Sequence, residues 1–106
     1  SPAMFMSVKY LTCEVIECND TLLRKTGYKR SEVIGKHIFT LFHSDCLENA
    51  NKDVQLFNAT GEIKNSKLTL LTKLGGKVPV LINSTAIRDD QGNILHSLTV
   101  FQDIEE

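Results

Sequence analysis

At 106 residues, with 42% hydrophobic and 24% charged residues, the chain has the size and make-up of one globular domain with a single core. Its formal net charge of -1 gives no electrostatic reason to expect nucleic acid or an anionic membrane as a partner. No apolar run approaches the ~20 residues that cross a bilayer, and Met4-Phe5-Met6 is too short for the apolar region of a signal peptide, so direct membrane insertion is not expected. Three cysteines, Cys13, Cys18 and Cys46, cannot all pair within one chain; they fit buried thiols in a reducing, cytoplasmic setting. Ser1-Pro2-Ala3-Met4 reads as a cloning remnant and residues 5–106 as a single domain. The chain stops where its last strand pattern ends, which is the expectation for a piece excised from a longer protein.

In chain order, Phe5–Lys9 and Glu14–Cys18 are short strand candidates about a turn near Tyr10–Cys13. Asn19 is a good cap for a helix carrying Leu22 and Leu23, and Gly27 a good residue to end it. Ser31 is the predicted cap of a second brief helix that Gly35 stops. A third short apolar stretch, Ile38 to Phe42, leads into His43-Ser44-Asp45, where His43 and Ser44 are placed to cap the next helix and Asp45 lies near its positive end. From there Leu47, Ala50, Val54 and Phe57 recur at helical spacing until Gly61.

The remainder alternates as strands. Leu68, Leu70 and Thr72 share one phase; Gly75-Gly76 turns the chain; and Val78, Val80, Ile82, Ser84 and Ala86 line one face of the next strand. Asp90-Gln91-Gly92-Asn93 turns it again into Ile94–Asp103, where the expected inward set is Leu98, Val100 and Gln102. Leu71, Leu81 and Phe101 then fall in the opposite phase, as an apolar patch on the outer sheet face and candidate interface residues. A pattern of two strands, several helices and three strands is α+β.

The same run carries a family resemblance. Asn19, Thr26-Gly27-Tyr28, Glu32, Ile34-Gly35-Lys36, Leu41-Phe42-His43 and Asp45-Cys46 resemble the PAS family of sensory domains. The likeness continues through Thr60-Gly61-Glu62, Leu74 to Val80, Arg88 to Asn93 and the closing Asp103-Ile104-Glu105-Glu106, where Glu105 replaces a customary Thr. It covers nearly the whole chain. It implies a five-stranded antiparallel sheet in the order 2-1-5-4-3, with several short helices and one longer helix across one face. In that fold the cavity lies between the helices and the inner sheet face. The implied ligand-pocket residues are Ile34, Ile38, Phe42, Leu47, Val54, Phe57, Leu68, Leu70, Val80, Ile82, Leu98 and Val100, with Asn83 and Gln102 among the polar groups able to orient a ligand. Asp103 marks the exit of the last strand, where a signal passes to an output domain in cis.

The resemblance implies a sensory or regulatory domain of a histidine kinase, diguanylate cyclase or similar regulator, sensing a small ligand, dimerising, or both. The alternative is a ligand-free dimerisation or docking module. A homodimer is expected, and no nucleic-acid partner. Catalysis is not expected of this domain: His43, Ser44 and Asp45 are sequence neighbours, whereas triad members meet through the fold, and no G-x-S-x-G, phosphate loop or H-E-x-x-H is present. No metal site is expected either, since Cys13 with Cys18 and His43 with Cys46 lack a second pair at zinc-like spacing. Flavin photochemistry of the light–oxygen–voltage type needs a cysteine shortly after Gly35-Lys36, where His37 to Leu41 stand and Cys46 lies too far on. Haem is disfavoured because Leu47 to Thr60 holds no histidine, leaving His43 or His37. The cofactor is therefore none or a small organic ligand.

Overall fold

A computed structural model describes residues 3–105, so Ser1 and Pro2 of the expected remnant, and Glu106, lie outside it. The elements are β1 (Met4–Lys9), β2 (Val15–Cys18), α1 (Asp20–Thr26), α2 (Arg30–Val33), two 3-10 turns (Ile38–Leu41 and Ser44–Cys46), α3 (Leu47–Thr60), β3 (Glu62–Leu71), β4 (Lys77–Arg88) and β5 (Ile94–Asp103). The strands form one antiparallel sheet in the order β2-β1-β5-β4-β3, so the α+β class and the implied strand order are both present. Met4 belongs to β1, faces Phe101 across the sheet and is fully buried.

Local chemistry sets the short helices. The Asn19 side chain accepts from the Leu22 amide at 3.1 Å and the Phe5 amide at 3.0 Å, and its Nδ2 donates to the Ala3 carbonyl. One residue thus caps α1 and ties it to β1. Gly27 ends α1 at φ 82°, in the left-handed region that favours glycine. Ser31 does not cap α2: the helix starts one residue earlier, and Glu32 accepts from the Lys29 amide at 2.9 Å instead. Ser44 likewise lies inside a 3-10 turn, and His43 alone caps, its Nδ1 accepting from the Asp45 amide at 3.1 Å.

Backbone bonds hang this irregular segment between the sheet's two edges. Val15 donates to Lys36 and Ile38 to Cys13 on the β2 side, while His43 donates to Thr69 on β3. At the end of α3 a Cβ on Gly61 would come within 2.6 Å of Arg88 Nη2, so the helix closes tightly onto β4.

The phase of β5 is opposite to that expected. Ser97, Thr99 and Phe101 point into the molecule at 6%, 4% and 0% exposure, while Leu98 and Val100 are 36% and 41% exposed on the outer face. Register is the cause: Phe101 pairs with Ile82 and Thr99 with Ser84, both inward residues of β4. Leu98, Val100 and Gln102 therefore do not face the helices, and Phe101 belongs to the core rather than to an outer interface. Leu71 and Leu81 do lie in the outward phase, half-buried.

A cavity between helices and sheet as candidate functional site

Between the helices and the inner sheet face lies a cavity of about 70 Å³. Its floor is Ile82 and Ser84 of β4 with Ser97, Thr99 and Phe101 of β5. Ala50, Asp53, Val54 and Phe57 of α3 and Ile38, Phe39 and Phe42 of the first 3-10 segment form the roof. Val8 and Leu68 flank it, and Lys9, Tyr10, Leu11 and Cys13 form the mouth. Its lining mixes short side chains, Ala50, Ser84 and Ser97, with the bulky Phe39, Phe42 and Phe57, a combination that leaves space between the layers.

The mouth is an unusual piece of backbone. Leu11 and Cys13 adopt φ 68° and 59°, which side chains other than glycine seldom take. Cys13 is held by its amide donating to Lys9 at 3.1 Å and its carbonyl accepting from Ile38 at 2.8 Å. Leu11 is 70% exposed at the rim. Burial pushes the Cys13 thiol above its ordinary pKa, so it is a poor nucleophile at neutral pH.

The polar part of the cavity is a chain of hydroxyls. Thr99 Oγ1 lies 2.6 Å from Ser84 Oγ and 2.9 Å from Ser97 Oγ. At the roof Asp53 accepts from Ser66 Oγ. Histidine does not line the cavity among the described residues. His43 and His37 accept from backbone amides of their own turns, and His96 pairs with Ser7 at 2.9 Å.

Of the sequence-derived pocket set, Ile38, Phe42, Val54, Phe57, Leu68 and Ile82 line this cavity. Leu70 and Val80 are buried in the core outside it, and Ile34 and Leu47 pack part-buried against that core. Asn83 is exposed on the outer face, where its side chain accepts from the Asn65 amide at 3.0 Å and holds a bulge in β3. Leu98, Val100 and Gln102 share that face. Sequence reasoning missed Ser97, Thr99 and the mouth residues. No sequence signal marked the first two: pairing carried straight from the Asp89–Asn93 turn would bring even-numbered residues of β5 inward, and a one-residue register shift between Ile87 and Arg88 reverses that phase.

At the other end of β5, Asp103 has two partners. Its Oδ2 meets Lys25 Nζ of α1 at 3.3 Å, both side chains being 18% exposed, and its Oδ1 accepts from the Glu105 amide at 2.9 Å. The Ile104 amide donates to Pro79. The chain thus leaves the sheet clamped to both α1 and β4.

This architecture is shared with known proteins. The PAS domain of a protein from Colwellia psychrerythraea matches with a TM-score of 0.81 at 17% identity, covering 96% of this chain and 85% of that one. The PAS domain of the fruit-fly ELK potassium channel matches at 0.83 and 18%, covering 98% and 88%. A light–oxygen–voltage domain studied with a flavin analogue matches at 0.85 and 22%, covering 98% and 78%. At these identities the likeness is one of fold. A family model described as PAS domain matches residues 2–106, and the chain belongs to the PAS domain family.

Proposed function

We propose that this PAS domain senses a small organic ligand in the cavity under α3 and passes the signal through Asp103 to an output domain attached in cis, in a cytoplasmic histidine kinase, diguanylate cyclase or similar regulator. The domain itself is not the enzyme. The observation that carries the reading is the cavity: a well-packed core leaves few voids larger than a water, and this one is bounded by aromatic side chains with hydroxyls at one point. A space of about 70 Å³ suits a small molecule and not a flavin or haem without repacking. Among the described residues no helix is long and apolar enough to cross a membrane. Occupancy would shift the balance between arrangements of α3 and the sheet, and Lys25–Asp103 ties the exit to the helical side.

The test is a thermal-shift screen of small uncharged metabolites on the wild type and on Ile82→Trp, whose indole fills the cavity. A saturable rise in Tm in the wild type that vanishes in Ile82→Trp is expected. The reading fails if no compound raises Tm, or if the rise persists in the filled variant.

A second reading, dimerisation, rests on the outer sheet face, where Phe5 lies opposite Val100 and Ser7 opposite Leu98, and where Leu81 and Ile87 are half-buried. Sedimentation should show a homodimer that Val100→Lys dissociates; a monomeric wild type would end that reading.

A further inference from the structure

We infer that the cavity takes an uncharged, slender aliphatic molecule with one hydroxyl or carbonyl head, seated on the Ser84–Thr99–Ser97 hydroxyl chain. The inference rests on the sensory reading above and specifies its ligand class.

Three hydroxyls at the centre of an inner sheet face are costly to bury unless satisfied. Here they satisfy one another in two links of 2.6 and 2.9 Å, and all three line the cavity at 6% exposure or less. Three O–H protons serve two links, so one proton remains to donate, and most of the lone pairs remain to accept. Because either oxygen of each link can be the donor, rotation of the hydroxyls moves the spare proton from one end of the chain to the other. The site thus offers a donor to a carbonyl oxygen or an acceptor to a hydroxyl proton.

Charge narrows the class. The lining holds one lysine, Lys9, exposed at the rim, and one acidic residue, Asp53, already accepting from Ser66. No arginine is in the lining to receive a carboxylate or phosphate in the fork geometry such groups prefer. An anion would shed its hydration without such a partner, and a cation would have to compete with Ser66 for Asp53, which favours a neutral ligand.

Size narrows it further. At about 10–15 Å³ per water-sized atom the space of about 70 Å³ admits roughly five to seven heavy atoms. It is about half of the ~150 Å³ known to admit a benzene ring, so a chain fits better than a ring. Phe39, Phe42 and Phe57 supply apolar walls for that chain.

The experiment compares 1-butanol with n-pentane, which replaces the hydroxyl by a methyl, in NMR titrations of the wild type, Thr99→Val and Ser97→Ala. Intrinsic hydrophobicity cancels when the butanol-to-pentane affinity ratio is compared between proteins. That ratio should fall roughly 3- to 10-fold in Thr99→Val, the loss of one net hydrogen bond, and less in Ser97→Ala. Shift changes should centre on Ile82, Ser84 and Thr99. If both probes bind but the ratio is the same in all three proteins, the hydroxyl-directed class is wrong while the cavity reading survives. If neither binds the wild type, both are wrong. Should Thr99→Val not fold, the Ser97→Ala ratio decides alone.

Discussion

The two ends of the inner sheet face are built differently. At one end Met4, Leu70 and Val80 are buried in the core with Leu22 of α1 and lie outside the cavity lining. At the other, past the Ile82–Phe101 pair at the boundary, Ser84 and Thr99 lie under a void bounded by Ala50 and Phe57. The first end has the density of a protein interior; the second trades density for room and hydrogen-bonding capacity. Stability and recognition therefore occupy nearby positions of the same strand, Val80 and Ser84 of β4.

Core substitutions test that difference most strongly. Leu70→Ala at the filled end should cost about 2–5 kcal/mol in urea unfolding, and Val80→Leu about 1–3 kcal/mol. Ala50→Leu, whose new atoms enter the void, should cost less than about 1 kcal/mol or stabilise. Equal losses for Val80→Leu and Ala50→Leu would erase the distinction between the ends.

The clamp at the filled end makes a smaller contribution. Lys25→Met and Asp103→Asn should each lower stability by about 1 kcal/mol, since the pair is mostly but not fully shielded from solvent. Hydrogen exchange at Ile104 and Glu105 should accelerate in both variants; unchanged exchange would remove the clamp from any account of the exit. A double variant no worse than either single one would show that the two residues act as a pair.

The smallest effect is pH-dependent. The Glu32 carboxyl is held below its ordinary pKa, first by the Lys29 amide and then by Lys73. A lowered folded-state value stabilises the fold above the unfolded glutamate value of about 4.3, and that contribution disappears as pH falls through the folded value. The difference in urea midpoint between wild type and Glu32→Gln should thus be full at neutral pH and vanish in acid. A constant difference would mean that the carboxylate's charge plays no part.

Much of the fold was legible in the sequence, because its punctuation is local. Asn19, Gly27 and Gly61 act as a cap and two helix stops, and the Gly75 and Asp89–Asn93 turns join the strands as expected. The last strand was misread for a physical reason. Its inward residues are hydroxyls and its outward residues Leu98 and Val100 are apolar, so polarity runs against the direction of burial. The hydroxyls tolerate burial by bonding to one another, Ser84 to Thr99 across strands and Thr99 to Ser97 along β5, a compensation that hydrophobic periodicity does not record. The inversion falls at the two places with proposed roles, the cavity floor and the outer face. The caps at Ser31 and Ser44 were misplaced because the turns begin before them, where Glu32 accepts from the Lys29 amide and His43 from the Asp45 amide, so each serine falls inside its turn.

The pairing of β1 with β5, Met4 opposite Phe101 and Lys9 opposite His96, sets a condition on how the protein is made. As the chain emerges from a ribosome, the β1–β2 hairpin has no neighbour on its other side while everything from Asp20 to Arg88 is being added. The α3–β3–β4 portion can collapse early through contacts close in sequence, but Met4, Met6 and Val8 stay without their shelter until the final strand appears. During that interval their apolar surface is what a chaperone would recognise. Completion of the domain waits on its last ten or so residues, and a truncation inside Ile94–Asp103 would strand the first hairpin rather than merely trim an edge.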